Sequence, residues 1–535
     1  MSDEGQLSSW RFDPVQGQYV PTDTRRPRGT GEISAIDQFR SKTILLLGGT
    51  GFVGKVLLAM MLDRFPELRH LIIQVRPKKN VSGEQRFLNE ILKSPPLQAI
   101  VERIGVDSIR QRTSIVEGDL SAPMCGIPAE QLAALTDTVD VVINSAGLVE
   151  FDPPLNESLI TNVYGIHNLI ELAQVLDAKL VHISTCYVGG KKSGRIPEDT
   201  PIVGYYPGRE GPEDRRFDVT RELEWCEQFI GETEDKIKLR DGGMERAEHW
   251  GWVNTYTYTK SMGEQLIART AGLKYCIVRP AIVESSLAFP FPGWNEGMTT
   301  SAPLVLMGGE GVKAWPVRKD GSLEIIPVDL IAAGILIATA AVLADRGETV
   351  YHLATAADNP VMLPRLVGFL GTNSRYKHKH KKGGNKLANV WKAYVETEVV
   401  SVSQLASSRK RIRWGLDLIQ ATFNFLKVIL GSRIMNPYLR NLRITRRQLR
   451  LQEQTLDKFL PFMVHNSFIF ETGNIRRAYN LLTPKDQERL QWTPEDIDWA
   501  DYWVNIHTKG IERWIRPMFA NQMKALEQSI NTPVS

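Results

Sequence analysis

The sequence predicts a doubly wound, parallel α/β sheet followed by a smaller, mainly α-helical C-terminal domain. An apolar stretch at residues 43–47 suits a strand buried on both faces, and it runs directly into a glycine-rich turn and an apolar helix. The length of 535 residues is too great for one ordinary core. From Ala388 onward the apolar residues recur at helical spacing, which indicates a second domain of a different class.

Composition and charge are those of a folded chain in a reducing compartment, which we predict to be the cytoplasm. Hydrophobic residues make up 42% and charged residues 24%, and the net charge of +4 is too small for a protein that coats nucleic acid. The first 38 residues are polar, and we interpret them as a loose tail rather than a signal peptide. The cysteines are widely spaced and the histidines do not cluster with acids, so neither a disulfide framework nor a metal site is predicted. The four cysteines are Cys125, Cys186, Cys226 and Cys276.

The longest apolar run covers residues 330–344 and is too short to cross a membrane. Its fifteen residues fall below the roughly 20 that span a bilayer. We interpret the run as a buried helix that begins near Asp329 and packs on the sheet.

Three glycines after the first strand form a dinucleotide-binding fingerprint. Gly48 permits a tight turn, Gly51 lets the backbone approach a pyrophosphate, and Gly54 allows close packing of helix and strand. The helix that follows directs free N–H groups and a partial positive charge at the phosphates. This arrangement predicts a Rossmann-like fold, and the G-x-x-G-x-x-G spacing is that of extended short-chain dehydrogenase/reductases. The residues predicted to hold the cofactor here are Gly48, Thr50, Gly51, Phe52, Val53 and Gly54.

The end of the second strand favours NADPH over NADH. An NAD enzyme places an acid here to bind the ribose 2′-hydroxyl, whereas this sequence has Gln74 and Arg76. Arg76, with Lys78 and Lys79 behind it, suits a 2′-phosphate. The alternative interpretation is a solvated basic surface.

Two later strand ends complete the predicted cofactor site. Asp119 and Leu120 follow the third strand at the position that brackets the adenine in this superfamily. Ser145 and Ala146 follow the next strand and are small enough for a dinucleotide to pass over them. Ligands of such sheets bind outside the carboxyl ends of the strands, where all these residues lie.

The stretch NTYTYTK predicts a catalytic tyrosine and lysine. On a helix, residues i and i+4 lie about 40° apart around the axis and residues i and i+2 about 200° apart. Tyr256 therefore shares a face with Lys260, and Tyr258 points away and is predicted to pack. A nearby ammonium lowers the pKa of a phenol from about 10 and so makes it a better proton donor and acceptor. The same lysine is predicted to hold the nicotinamide ribose.

A strand that ends in Ser184 and Thr185 supplies the third catalytic group. Thr185 is predicted to bind the substrate carbonyl together with Tyr256, with Ser184 as the alternative. Cys186 and Tyr187 are interpreted as lining or packing residues, and His182 as a core histidine.

Beyond these residues, the sequence resembles the alcohol-forming fatty acyl-CoA reductases of the male sterility type over residues 41–514. The resemblance is carried by LLLGGTGFVGKVLL, HISTCYVGG, NTYTYTKSMGEQL, FPFPGWNEG and a C-terminal stretch that begins NSFIFETGNIRRAYNLLTPKDQERL. It implies that NADPH reduces a long-chain acyl-CoA or acyl carrier protein thioester to an aldehyde and then to a fatty alcohol. It also implies that Arg86 reaches the cofactor phosphate, whereas its position alone predicts a surface residue.

Three alternatives stay open at this point. The enzyme could release the aldehyde, or it could be another extended short-chain dehydrogenase that acts on a sugar nucleotide or a sterol. A dinucleotide-binding scaffold without catalysis is the third, and the retained Thr185, Tyr256 and Lys260 argue against it.

The predicted domains follow from the resemblance and the composition. They are a tail at 1–40, an NADPH-binding reductase domain at 41–372, a basic linker at 373–387, a helical C-terminal domain at 388–520 and a tail at 521–535.

Residues 409–450 predict a membrane-docking segment. They contain eleven basic residues against one acid, Asp417, around the apolar stretch 414–431. An apolar helix among cations suits the surface of an anionic membrane. The alternatives are a core helix with a solvated basic face, or a site for coenzyme A phosphates or an acidic carrier protein.

Overall fold

The computed structural model describes residues 10–13, 18–21, 29–208, 217–379, 390 and 393–520. They form two compact units, each of which is discontinuous in sequence. The first unit contains the described parts of Met1–Thr300, Glu324–Pro360 and Phe468–Ser535. The second contains the described parts of Ser301–Leu323 and Val361–Ser467.

The first unit is built on a seven-stranded sheet in which all neighbouring strands are parallel. In chain order its strands are β1 (Thr43–Leu47), β2 (His70–Val75), β3 (Thr113–Glu117), β4 (Val141–Asn144), β5 (Lys179–Ile183), β6 (Tyr275–Pro280) and β7 (Val350–Leu353). Their order across the sheet is β7-β6-β5-β4-β1-β2-β3. The strand order therefore reverses at the boundary between β1 and β4: β2 and β3 are added on one side of β1, and β4 to β7 on the other. The predicted doubly wound fold is confirmed. Such a reversal creates the crevice in which these folds bind their ligands.

Apolar helices cover the sheet, as the buried strands require. β1 is buried along its whole length, and the helix after it, Phe52–Arg64, is called the glycine-loop helix. The longest apolar run forms the helix Val328–Leu343, in which every residue is buried. This confirms the interpretation as a core helix. None of the helices in the described part of the chain is long and apolar enough to cross a membrane.

Shorter elements complete the first unit. Its other α-helices are Ala35–Arg40, Gly83–Arg86, Pro95–Ile104, Val106–Arg112, Ala129–Leu135, Leu155–Leu159, Gly165–Val175, Val219–Gly231, Lys236–Trp250, Thr255–Arg269, Gly473–Leu481, Pro484–Leu490, Trp499–Asp501 and Thr508–Gly510. Its π and 3-10 turns are Phe87–Ile91, Pro123–Gly126, Ile160–Tyr164, Cys186–Gly189, Pro494–Asp496, Tyr502–His507 and Ile511–Ile515. Its paired short strands are Trp10–Asp13 with Gln18–Pro21, Ile282–Glu284 with Ile325–Pro327, and Gly194–Ile196 with Phe468–Phe470.

The C-terminal segment returns to the first unit, which differs from the predicted domain at 388–520. Strand Phe468–Phe470 pairs in parallel with Gly194–Ile196. The buried carboxylate of Glu324 accepts the N–H of Phe470 at 2.8 Å, and Glu198 accepts the N–H of Asn474 at 2.7 Å. These long-range backbone contacts hold the segment, and helical periodicity alone cannot reveal them.

The second unit is mainly helical. Its helices are Ala302–Gly309, Leu363–Lys379, Val402–Leu430 and Ser432–Leu460, with a π turn at Pro461–His465. Its paired strands are Ala314–Pro316 with Glu398–Val400, and Ser322–Leu323 with Val361–Met362. The first part of the predicted linker, residues 373–379, belongs to the helix Leu363–Lys379. The rest of that linker and the tail at 521–535 lie outside the described residues, as does half of the tail at 1–40.

Candidate active site

The glycine turn after β1 has the shape that a bound dinucleotide needs. Gly48 has a φ of +79°, and a Cβ there would lie 2.4 Å from the backbone nitrogen of Ala146. A Cβ on Gly54 would lie 2.0 Å from the carbonyl oxygen of Gly48, so only glycine lets the helix approach the turn this closely. At Gly51 a Cβ would meet only the carbonyl oxygen of Gly48, at 3.5 Å. The space over the N-terminus of the glycine-loop helix is thus open to a phosphate.

The predicted turn residues lie together at that helix N-terminus. Gly51 is its N-cap, and Phe52 and Val53 begin its first turn with partly exposed side chains. Across the turn, the N–H of Ser145 donates to the carbonyl of Leu47 at 3.0 Å. This contact brings the ends of β1 and β4 together at the crevice.

Lys260 is buried on the helix Thr255–Arg269, which is called the tyrosine helix. Its ammonium donates to the carbonyl of Ile183 at 2.8 Å and lies 3.7 Å from the position of a Cβ on Gly147. Burial lowers the pKa of Lys260 to about 8, and the nearby Glu264 carboxylate acts in the opposite direction. A lysine with this pKa can change its charge near physiological pH.

The Tyr256 phenol lies within hydrogen-bonding reach of the Thr185 hydroxyl. Burial raises the pKa of the Tyr256 phenol, and the hydrogen bond with Thr185 partly offsets this rise. The Thr185 hydroxyl also accepts the N–H of Tyr187 at 3.3 Å. The structure thus places Thr185 and Tyr256 side by side, with Lys260 one helical turn from the tyrosine.

Ser184, the alternative to Thr185, is also buried at this strand end. Its backbone N–H donates to Val278 at 2.7 Å, which continues the ladder between β5 and β6. Its hydroxyl has no hydrogen-bond partner within the described part of the chain. It is therefore also available to a ligand.

Tyr258 lies on the opposite face of the tyrosine helix, in a separate core. Its ring is fully buried and packs against Trp252. Its hydroxyl donates to Glu222 and lies 3.3 Å from the sulfur of Cys226. Arg246 neutralises Glu222 through two bonds of 2.6 and 2.7 Å. These contacts account for Tyr258 without any part in chemistry.

His182 is the buried histidine that the sequence predicts, but it also contacts the catalytic lysine. Its Nε2 lies 3.3 Å from the ammonium nitrogen of Lys260, and its Nδ1 lies 3.2 Å from Nδ2 of Asn144. Oδ1 of Asn144 accepts the N–H of Ala146, so its amide group faces His182 with the N–H side. The amide N–H of Asn144 and the Lys260 ammonium thus both present donors to the ring, which has one acceptor nitrogen when it is neutral. Burial lowers the pKa of His182 well below its usual value, so the ring is neutral.

Asn162 is a second polar residue that sequence reasoning missed. Its amide bonds both backbone groups of Leu148, at 3.0 and 3.1 Å, and the hydroxyl of Thr259 at 3.3 Å. It thereby fastens the loop after β4 to the tyrosine helix. Nothing in its sequence context, an apolar helical stretch, indicates this contact.

The predicted 2′-phosphate site divides into exposed and structural residues. Arg76 has a side chain that is 72% exposed and lies 3.5 Å from Asp119. Gln74 is buried instead and donates to the carbonyl of Cys125 at 2.7 Å, so it does not face the crevice. Lys78 pairs with Glu90 at 2.8 Å.

Arg86 supports Arg76 rather than lying free. Its side chain is only 12% exposed, donates to the carbonyl of Arg76 and pairs with Glu90 at 3.1 Å. Of the two residues predicted around the adenine, Asp119 accepts from Ser121 and is partly exposed. Leu120 is buried in the core below, and its carbonyl accepts from Asn168 at 3.0 Å.

The FPFPGWNEG loop is held by backbone contacts beside the glycine turn. The buried carboxylate of Asp329 accepts the N–H groups of Leu287, Ala288 and Phe289 at 2.8–2.9 Å. At the other end of the loop, Glu296 forms an ion pair of 2.7 Å with Lys55, in the first turn of the glycine-loop helix. This pair joins the loop to the cofactor end of the crevice.

Neither a metal centre nor a thiol nucleophile is indicated. Within the described ranges, no three His, Cys, Asp or Glu side chains are grouped as metal ligands. Cys186, which adjoins Thr185, is buried, and burial raises the pKa of its thiol well above the ordinary value. The described side chains that meet at this strand end are the hydroxyls of Thr185 and Tyr256, the Lys260 ammonium and the His182 ring.

Comparison with known proteins identifies the family. Residues 46–335, more than half of the chain, match the family described as male sterility protein. The probable fatty acyl-CoA reductase 5 of Arabidopsis thaliana is 28% identical over 503 residues, which cover 90% of this chain and 98% of the relative. The alcohol-forming fatty acyl-CoA reductase of Simmondsia chinensis is 25% identical over 513 residues, which cover 89% and 98%.

A solved structure confirms the fold. The reductase domain of a non-ribosomal peptide synthetase from Mycobacterium tuberculosis superimposes with a TM-score of 0.50 at 16% identity, covering 92% of this chain and 94% of that domain. The family and the fold make the protein an oxidoreductase that uses a nicotinamide cofactor, and the open glycine turn fits that cofactor. The chain belongs to the male sterility family of fatty acyl-CoA reductases.

Proposed function

We propose that the protein uses NADPH to reduce long-chain fatty acyl-CoA to the aldehyde and then to the fatty alcohol. The observation that carries this proposal is the proximity of the Tyr256 and Thr185 hydroxyls, with Lys260 one turn away, at the ends of the strands beside the glycine turn. Two hydroxyls and a cation converge there beside the neutral ring of His182, which suits hydride chemistry at a carbonyl.

In both reductions the same residues would bind the carbonyl oxygen of the substrate. Bound NADPH would supply the hydride. Thr185 and Tyr256 would donate hydrogen bonds to the carbonyl oxygen as negative charge develops on it. In the thioester step the carbonyl re-forms and the thiol leaves, so the aldehyde remains. In the aldehyde step Tyr256 gives its proton to the oxygen.

Lys260 would set the acidity of Tyr256. Burial alone raises the pKa of this phenol, which makes it a poor proton donor. An ammonium one helical turn away favours the phenolate and lowers that pKa. The hydrogen bond to the Ile183 carbonyl, at 2.8 Å, fixes the position of the Lys260 ammonium.

The choice of NADPH is part of the proposal. Arg76 is exposed at the end of β2, where a 2′-phosphate would lie, and no acid of β2 competes for that place. Arg86 would act through Arg76, because it binds the carbonyl of that residue. This differs from the direct phosphate contact that the resemblance implies.

The acyl group is expected to come from a cytoplasmic membrane surface. Long-chain acyl thioesters partition into membranes, and the predicted docking segment at 409–450 belongs to the same proposal. Whether the thiol is coenzyme A or an acyl carrier protein is decided by supplying each thioester separately.

The test counts cofactor against thiol. NADPH absorbance is followed while palmitoyl-CoA, a long-chain aldehyde and UDP-glucose are added in separate reactions, and released thiol is titrated in the first. Two NADPH per thiol indicate the alcohol, and one indicates release of the aldehyde. Consumption with the aldehyde alone would contradict the thioester step, and consumption with UDP-glucose alone would favour a sugar-nucleotide enzyme. Tyr256→Phe serves as the inactive control.

A further inference from the structure

The helix Val402–Leu430, called the first hairpin helix, is apolar on two sides but has no buried residue. It is 29 residues long and packs along Ser432–Leu460, the second hairpin helix. A helix that is apolar on one face alone would need only this one neighbour. The additional apolar side chains therefore call for a second partner.

One side of the first hairpin helix faces its neighbour through specific contacts. Arg409 pairs with Asp457 at 2.7 Å, and Arg446 of the second helix pairs with Asp417 at 2.7 Å. The rings of Phe423 and Tyr438 meet edge to face, with their centroids 6.0 Å apart. These contacts fix which face of the first helix is covered.

The opposite side carries a continuous apolar stripe. Trp414 is 69% exposed, Phe425 66% and Val428 85%, and Leu418 and Ile429 are also exposed. Spacings of three, four, seven and eleven residues return to nearly the same side of a helix, so these side chains project together. From Trp414 to Val428 the stripe is about 20 Å long at 1.5 Å per residue. Isolated exposed apolar residues need no explanation, but a row of this length does.

Cations flank this stripe along the chain, and further cations lie on the second hairpin helix. Of the eleven basic residues in 409–450, Arg409, Arg413 and Arg446 form ion pairs. Within the described residues the other eight have no ion pair. They are Lys410, Arg411, Lys427, Arg433, Arg440, Arg443, Arg447 and Arg450. Lys410 and Arg411 come one turn before Trp414, and Arg433 follows the turn at Gly431 beyond the other end.

We propose that the stripe docks into the interface of an anionic lipid bilayer, with the first hairpin helix parallel to the membrane plane. Its apolar side chains enter the acyl boundary, and the unpaired cations bind lipid phosphates. The proposal extends the membrane docking in the proposed function by naming the face that inserts. It needs no catalytic step.

Charge decides against the other occupants. A second copy seated on the same stripe would bring two sets of unpaired cations together, which is unfavourable. An acidic carrier protein would satisfy the cations but leave Trp414, Phe425 and Val428 in water. A bilayer with anionic headgroups satisfies both.

The first experiment measures binding of the full chain to vesicles by co-sedimentation. Vesicles of phosphatidylcholine alone are compared with phosphatidylcholine mixed with phosphatidylserine. The stripe variant Trp414→Ser, Leu418→Ser, Phe425→Ser should bind the mixed vesicles at least about 50-fold more weakly. Its matched control is Val106→Ser, Val203→Ser, Ile237→Ser, which removes exposed apolar side chains from the first unit and should bind as the natural chain does. Equal loss in both variants, or no loss in either, would overturn the proposal.

A variant with fewer cations separates the contribution of charge from that of the apolar stripe. Lys410→Gln with Arg411→Gln should weaken binding to the mixed vesicles about 20- to 30-fold, because each cation near the surface contributes about fivefold. Lys238→Gln with Lys319→Gln is the matched control. An effect of equal size on pure phosphatidylcholine would contradict the anionic part.

Quenching by brominated lipids locates the insertion. The Trp fluorescence of the natural chain should fall on brominated vesicles, and Trp414→Phe should show much less of this quenching.

A control tests whether the stripe is instead a protein interface. The oligomeric state and the binding of acyl carrier protein in a pull-down are compared between the natural chain and the stripe variant. If it loses a dimer or a carrier complex while vesicle binding is unchanged, the stripe is a protein interface and the proposal is wrong. Turnover of a short, water-soluble aldehyde is measured in parallel. Its absence with vesicle binding intact refutes the proposed function alone.

Discussion

The tyrosine helix and the first hairpin helix differ in opposite ways from what their polarity predicts for burial. The tyrosine helix, Thr255–Arg269, is rich in hydroxyl and charged residues, yet eleven of its fifteen residues are buried. The first hairpin helix, Val402–Leu430, is rich in apolar residues, yet none of its 29 residues is buried. Composition alone would predict the reverse for both. The difference shows that burial in this protein follows the availability of partners rather than the polarity of each helix.

The buried charged residues of the tyrosine helix, and several of its hydroxyls, have partners that offset their loss of water. Thr259 bonds Ser158 at 2.8 Å, Lys260 bonds the carbonyl of Ile183, and Glu264 pairs with Arg279 at 2.6 Å. A buried charge without such a partner would cost several kcal/mol. The hairpin helix lacks the matching arrangement for its outward apolar side chains within the described residues. The tyrosine helix therefore finds partners for its charges within the chain, whereas the stripe of the first hairpin helix is proposed to find its partner outside the chain.

The largest expected effect tests whether the two faces of the tyrosine helix differ in function. Tyr256→Phe removes the proposed proton donor and should lower kcat/KM for the aldehyde by about 10³-fold, within the range of acid–base contributions. Tyr258→Phe should retain most activity but lose about 1–3 kcal/mol of unfolding free energy, because it removes a buried hydrogen bond to the Glu222 carboxylate, which then keeps only Arg246. Steady-state kinetics and urea unfolding of both variants check this. Loss of activity in Tyr258→Phe alone would reverse the assignment.

Local geometry explains which features the sequence could predict. The strand, the glycine turn and the phase of Tyr256 and Lys260 depend on neighbours within a few residues, and the structure shows all of them. The positive φ at Gly48 and the close approach at Gly54 belong to this class. Periodicity and spacing are sufficient for such features.

Long-range contacts explain which features it could not. Arg86 is ten residues from Arg76, yet it turns back to the carbonyl of that residue. His182 was predicted as a core histidine, and its contact with Lys260 depends on how β5 meets a helix 78 residues later. The return of Phe468–Phe470 to the first unit pairs residues more than 270 positions apart. No pattern within a short window carries that information.

The next largest effect concerns Arg76, an exposed residue that is proposed to bind the 2′-phosphate of NADPH. Arg76→Ala should raise the KM for NADPH about 10- to 100-fold and leave the KM for NADH nearly unchanged, because a charge-assisted bond contributes about 1.5–3 kcal/mol. Arg69→Ala, another arginine in the β2 region, is the control and should change neither value. Initial rates with both cofactors check this. Equal losses with NADPH and NADH would mean that Arg76 does not bind the 2′-phosphate.

The pH dependence examines the cost of burying Lys260. Its folded pKa is about 8, below the ordinary value for lysine, so the ammonium is lost as pH rises through that value. Because the ammonium is proposed to make Tyr256 more acidic, kcat/KM for the aldehyde should fall as pH rises above about 8. The negative charge of the bound cofactor moves this limb upward rather than downward. Rates from pH 6 to pH 10, with Lys260→Arg as a variant that stays charged, check the assignment. A limb that persists in Lys260→Arg would belong to another group.

The smallest expected effect is the change in stability when an exposed apolar residue of the first hairpin helix is removed. Phe425→Ala removes a large apolar side chain that is exposed, so the unfolding free energy should change by less than about 0.5 kcal/mol. Leu442→Ala, at a buried position of the second hairpin helix, should cost about 2–4 kcal/mol. Urea unfolding of both variants in the absence of lipid measures the contrast. If Phe425→Ala were as destabilising as Leu442→Ala, the stripe would be part of the folded core and would need no membrane. If Phe425→Ala is neutral in water and weakens vesicle binding, the apolar face serves a partner rather than the fold.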